Sequence, residues 1–174
     1  MKLVDYAKKI MGKPQCYIRN HKNFVGEGSS RLVIKYKNHV LKIAKNKKGY
    51  AQNQEELVIH DIIKNTYPSI YRYIGKIFDF VTDKNGIAVI IMKYYGDKSP
   101  FHKRLSKSKK EKNPKIENIR RIAIKIAKFL VENHSFFDWT LSDLGVASSW
   151  RKTKNNIPIL IDYGYTLISQ KAYF

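Results

Sequence analysis

Apolar and polar positions change their spacing along the chain and so divide it into short elements. Leu3, Ala7, Ile10 and Met11 recur at three- and four-residue intervals, the stripe of a short amphipathic helix that Gly12 and Pro14 bring to an end. From Tyr17 to Ile43 the pattern turns strand-like. RLVIKY (31–36) and HVLKIA (39–44) are β-rich runs joined by Lys37-Asn38, a tight hairpin turn, and Gly26-Glu27-Gly28-Ser29-Ser30 ahead of them is loop chemistry. Residues 51–64 return to helical period, with Val58, Ile59, Ile62 and Ile63 on one face. Tyr67-Pro68 stops that helix, because proline disfavours the helical region in the residue before it. IGKIFDFV (74–81) and IAVIIMKY (87–94) are two further strands around the turn Asp83-Lys84-Asn85-Gly86; the second is apolar enough to be central in a sheet. Residues 116–134 carry Ile119, Ile122, Ala123, Ile126 and Leu130 at helix spacing. An Asp-bearing stretch, a polar break RKTKNN (151–156), an apolar strand IPILI (157–161) and Asp162-Tyr163-Gly164 follow.

Composition narrows the class. The 174 residues suit one ordinary domain or two small lobes on a shared core, and 43% hydrophobic residues exclude wholesale disorder. No apolar run reaches the roughly 18 residues of a membrane span. The opening MKLVDYAKKIMGK has no apolar run of signal-peptide length, and the single cysteine, Cys16, excludes a disulfide framework. A cytoplasmic protein with an inert or buried Cys16 is expected.

The net charge of +20 points to a polyanionic partner, such as nucleic acid, a nucleotide or an acidic protein; an AT-rich genome yields the same Lys- and Asn-rich bias. Residues 98–115 hold eight basic residues against one acidic. This run reads either as a solvated linker or as a source of non-specific phosphate contacts with nucleic acid. The expected division is 1–95, a basic linker at 96–115, and 116–174.

Four features carry possible chemistry. Gly26 and Gly28 either let backbone N–H groups approach phosphate oxygens or mark no more than a turn. Lys42 alternates with apolar residues on its strand, which suits either a solvated position or an ion pair. Glu55 and Glu56 are the nearest acids on the following helix. Asp138 and Asp143 lie five residues apart, as base and metal ligand or as cap and turn residues. Asp162 follows a buried strand, where its direction would be fixed for a metal or for a turn.

Taken in order, these features resemble the protein-kinase-like fold, which includes small-molecule and antibiotic kinases. The family's G-x-G-x-x-G-x-V resembles Gly26, Gly28 and Val33, with Arg31 at the third glycine. V-A-I-K resembles Val40-Leu41-Lys42, preceded by His39. H-R-D-L-x-x-x-N resembles Phe136-Phe137-Asp138-Trp139-Thr140-Leu141-Ser142-Asp143, and D-F-G resembles Asp162-Tyr163-Gly164.

The resemblance implies an α+β two-lobe fold: an antiparallel sheet with one helix in the first lobe, and a small, mainly helical, truncated second lobe. It implies ATP held by Gly26, Gly28, Ser29, Ser30, Val33, Lys42, Glu56, Met92 and Tyr94, the last two in a hinge at 90–95. It implies Mg2+ on Asp143 and Asp162, and Asp138 with Lys42 as catalytic residues serving an acceptor hydroxyl of a protein or small molecule. Two phenylalanines replace the His-Arg before the catalytic Asp, which disfavours control by an activation-loop phosphate. Only ten residues follow Gly164, so a homodimer or partner protein covering the second lobe is expected. The alternative is a degenerate binding module, a pseudokinase that modulates a host protein or nucleic-acid enzyme. The size and composition suit a phage or mobile-element protein.

Overall fold

A computed structural model describes residues 1–83, 86–96, 98–101, 105, 113–134, 137 and 143–164. Five strands form one antiparallel sheet: β1 (Phe24–Glu27), β2 (Arg31–Tyr36), β3 (His39–Ala44), β4 (Ile77–Thr82) and β5 (Ala88–Lys93), in the spatial order β1-β2-β3-β5-β4. The β2–β3 turn works because Lys37 takes a positive φ of 53°, which leaves Tyr36 opposite His39 and Val33 opposite Lys42.

The two-residue period of the strands then sorts the side chains. Leu32, Ile34, Leu41, Ile43, Val89 and Ile91 share one apolar cluster with Tyr6, Ala7, Ile10 and Met11 of α1 (Leu3–Met11) and Ile18 of α2 (Gln15–Arg19). The alternate positions, Arg31, Val33, Val40, Lys42, Ile90 and Met92, belong to the opposite face. Against that face lies α3 (Lys47–Thr66), capped by the Asn46 side chain accepting from Gly49 N at 3.0 Å. Its buried apolar residues Ile59 and Ile63 join Ile90 and Met92 in a second cluster.

This second cluster extends beyond the sheet. After α4 (Pro68–Tyr71) and the sheet, α5 (Pro114–Asn133) starts with Asn113 accepting from Lys115 N at 2.9 Å, and Pro114 occupies a first-turn position that needs no donor. It buries Ile119, Ala123, Ile126 and Leu130 in the cluster. The hairpin β6 (Trp150–Lys152) and β7 (Pro158–Leu160) adds Trp150 and Leu160. Leu160 N donates to Tyr73 O at 2.8 Å and Gly75 N to Leu160 O at 2.7 Å, so the late hairpin is bonded to the chain just before β4.

Several local expectations change. The first twenty residues form two helices, and the second carries Cys16 on the exposed side. The polar break at 151–156 begins as strand, because Trp150 is fully buried and pairs with Leu160. Val58 is 52% exposed and off the packed face of α3. That face is set instead by Gln52, Asn53, Glu56, Ile59, His60 and Ile63, which recur at three- and four-residue steps. Polar bonds to the sheet therefore fix the rotation of the helix.

α3 approaches the sheet closely because residue 49 lacks a side chain. A Cβ there would sit 2.2 Å from Ser30 O and 3.0 Å from Ala44 Cα, both backbone. Gly49→Ala is expected to cost about 2 kcal/mol or more through overpacking, read as a lower urea midpoint. Gly12→Ala, with nothing within 4 Å, should be close to neutral.

Candidate functional site

Lys42 lies between Val33 of β2 and Ile90 of β5 in the sheet register, on the face toward α3. Arg31 pairs with Ala44 and so sits diagonal to Lys42 on that same face. Opposite them, Glu56 of α3 is wholly buried. Its two oxygens are divided between the two cations: Lys42 Nζ to Oε1 at 2.7 Å, and Arg31 Nη1 to Oε2 at 2.6 Å. A carboxylate removed from water requires such partners. Glu55, one residue earlier, is only partly buried and is not part of this pair.

The other acid comes from the late part of the chain. Asp162, just after β7, accepts from Arg31 Nη2 at Oδ1 in an ion pair and lies 3.6 Å from Lys42 Nζ. Lys42 Nζ also donates to the Ile161 carbonyl. Two cations and two carboxylates thus close an electroneutral quartet at the junction of β2, β3, α3 and the 161–164 segment. Asn53 completes it: its Oδ1 accepts from Arg31 Nη1 at 3.3 Å, while its amide donates to Lys42 O at 3.0 Å and Ala88 O at 3.1 Å.

Burial alone would lower the Arg31 pKa and raise that of Asp162, but the opposite charges win. Asp162 and Glu56 hold the guanidinium above its ordinary value, and Arg31 and Lys42 hold the Asp162 carboxyl below its own. The segment is pinned further along. Tyr163 is buried and its hydroxyl donates to Gly75 O at 3.1 Å, with its pKa pushed well up by burial. A Cβ on Gly164 would fall 2.2 Å from Gln52 O, so the glycine lets this segment touch α3.

Beside the quartet lies a cleft of about 300 Å³. Its walls include Gly26, Gly28, Val33, Val40, Lys42, Met92, Tyr94 and Asp162. An adjoining hollow of about 260 Å³ shares Gly28, Val33, Lys42 and Asp162 and adds Ser29, Ser30, Arg31 and Gln52. Most residues expected from the sequence therefore converge here. Ser30 is 3% exposed and its hydroxyl is spent on Gln52. Gly28 N donates back to Arg31 O at 2.9 Å, which keeps the glycine loop in hairpin form. Lys35 stands 4.1 Å over the Tyr94 ring, and Arg151 Nε donates to Gly96 O at 2.9 Å across the far side of the cleft. Asp138 lies outside the described residues. Asp143 opens a short 3-10 helix, Asp143–Gly145.

The sequence reading missed what Arg31, Asn53 and Gln52 do. The signal was present: Gln52, Asn53 and Glu56 recur on one side of a helix whose apolar face is incomplete, and Arg31 shares Lys42's strand alternation.

Of the expected Mg2+ pair, the Asp143 side chain lies outside what the structure describes, and Asp162 is already engaged. Oδ1 of Asp162 already faces a guanidinium and an ammonium. Among the described residues, no group of three or more His, Cys, Asp or Glu is arranged to hold a metal.

The antiparallel sheet, the Lys–Glu pair behind it and the late Asp together define a protein-kinase-like fold. Comparison with solved structures gives the same class. The PK-1 kinase of Cydia pomonella granulovirus matches at a TM-score of 0.50 and 20% identity, over 83% of this chain and 50% of that one. A pseudokinase in its apo form matches at 0.47 and 13%, over 83% and 57%. The choline kinase LicA from Streptococcus pneumoniae matches at 0.42 and 12%, over 92% and 69%. The chain thus spans about half the length of the granulovirus kinase. No protein-family model and no curated protein matches the sequence.

Glu56→Gln should lower stability by about 3 kcal/mol, because it removes the negative charge between two buried cations and turns an amide N–H toward one of them. Glu55→Gln, outside that pair, should cost less than Glu56→Gln. Urea unfolding of the two variants measures the difference.

Proposed function

We propose that this chain binds ATP in the cleft and acts as a minimal kinase-like phosphotransferase. The observation that carries the reading is Lys42, held by buried Glu56 and facing Asp162 at the inner end of a glycine-bordered cavity. In this reading the adenine lies between Val33 and Val40 on one side and Met92 on the other, against the 92–94 segment. The phosphates run under the Gly26–Gly28 hairpin to Lys42. A buried cation on a rigid strand offers charge stabilisation that needs no rearrangement when charge shifts during transfer. Asp138 enters as the group orienting the acceptor hydroxyl through the sequence resemblance alone. The acceptor is a hydroxyl of a protein or small molecule.

A second reading, a nucleotide-binding module that works by contact, is favoured by one observation: the Arg31 guanidinium occupies Oδ1 of Asp162, the carboxylate on which a kinase-like metal site would be built. A partner over the second lobe, or a second copy of the chain, and non-specific nucleic-acid contacts through residues 98–115 remain part of either reading. No helix among the described residues is long and apolar enough to cross a membrane.

ATP at about one hundred times its Kd should raise the melting temperature by about 5–10 °C, whereas Lys42→Ala should show little shift. Transfer of radiolabelled γ-phosphate by the wild type and its loss in Asp162→Asn would select the phosphotransferase. ATP binding without any transfer would select the second reading, and absence of binding would overturn both.

A further inference from the structure

The buried cation Arg31 is unused by a plain kinase-like reading, in which that position is a glycine. Its side chain is 8% exposed, and the described residues engage three of its five N–H donors, on Glu56, Asn53 and Asp162. It borders the hollow beneath the glycine loop, with Lys42 and Asp162. Asp162 keeps 35% of its side chain exposed there, so this is the acid of the quartet that ligands can reach.

Charge decides what can be added. Glu56 and Asp162 already balance Arg31 and Lys42. A divalent cation arriving at Asp162 would bring two further positive charges against a guanidinium and within reach of an ammonium. It would also have to break the Arg31–Asp162 ion pair. A polyphosphate arriving beside the same two cations brings the opposite sign. A guanidinium is planar and multidentate, which suits phosphate oxygens.

We propose that Arg31 takes the place of the divalent cation at Asp162, so that the cleft binds nucleoside triphosphate without magnesium. This deepens the nucleotide reading above and rests on it. The guanidinium bridges Asp162 and the phosphates as a metal ion would, but it is covalently part of the glycine-loop hairpin.

The test is calorimetric titration of ATP into the full chain, once in EDTA and once in magnesium, together with Mn2+ alone followed by electron paramagnetic resonance. Wild-type affinity in EDTA should lie within about twofold of that in magnesium, and Mn2+ alone should show no tight site, because two cations already face Asp162. Arg31→Gly should lose about tenfold or more of the affinity in EDTA and recover part of it with magnesium, the loss of one charge-assisted bond. Arg31→Lys should fall between. Wild-type binding that requires magnesium, or Arg31→Gly binding in EDTA as tightly as wild type, overturns this inference and leaves the nucleotide reading standing. No binding in either buffer overturns both. If circular dichroism finds Arg31→Gly unfolded, the wild-type pair of titrations decides alone.

Discussion

A carboxylate with none of its surface in water organises this molecule. Stripping an ion such as Glu56 of its hydration costs several kcal/mol even after relaxation, so the fold must bring charge to it. It does so twice, from adjacent strands. Lys42 and Arg31 take one oxygen each, and Asn53 on the same helix braces the arginine and both strand carbonyls behind it. Such a group is better at fixing one arrangement than at adding stability, since an apolar replacement of the same shape is often as stable. Here the arrangement it fixes is the rotation of α3 against the sheet.

The late segment is drawn into the same constraint from the other side. Asp162 meets both cations, Tyr163 reaches Gly75, and Gly164 lets the backbone rest on α3 at Gln52. The apolar contacts agree with this: α3, β5, α5 and the Trp150–Leu160 hairpin share one cluster. Chain regions more than one hundred residues apart thus reach the cleft as parts of a single packed body. That is the condition for charges to be held in place rather than gathered by a ligand.

Strands β2 to β5 were legible in the sequence as short β-rich runs, and the turn between β2 and β3 is two residues long, whereas Gly26 and Glu27, expected in a loop, end β1. The cleft was legible through the order of its glycines, Lys42 and Asp162 and their likeness to a known family, since separately each of these residues has ordinary uses. The register of α3 was not. Its apolar residues alone put Val58 inside, whereas buried hydrogen bonds from Gln52, Asn53 and Glu56 turn it outward. Periodicity counts hydrophobic area and is blind to a polar side chain satisfied by a partner far along the chain. The pairing of Arg31 escaped for the same reason: no spacing along the sequence links it to Asp162, 131 residues later.

Arg31 opens β2 immediately after the glycine hairpin, so its ion pairs fasten the roof of the cleft to the back wall at Glu56 and the floor at Asp162. A flap of this kind ordinarily rises and falls on its glycines alone. Here raising it would break the Arg31–Glu56 pair and leave a fully buried acid with one cation fewer, so buried charge holds the hairpin down over the cleft.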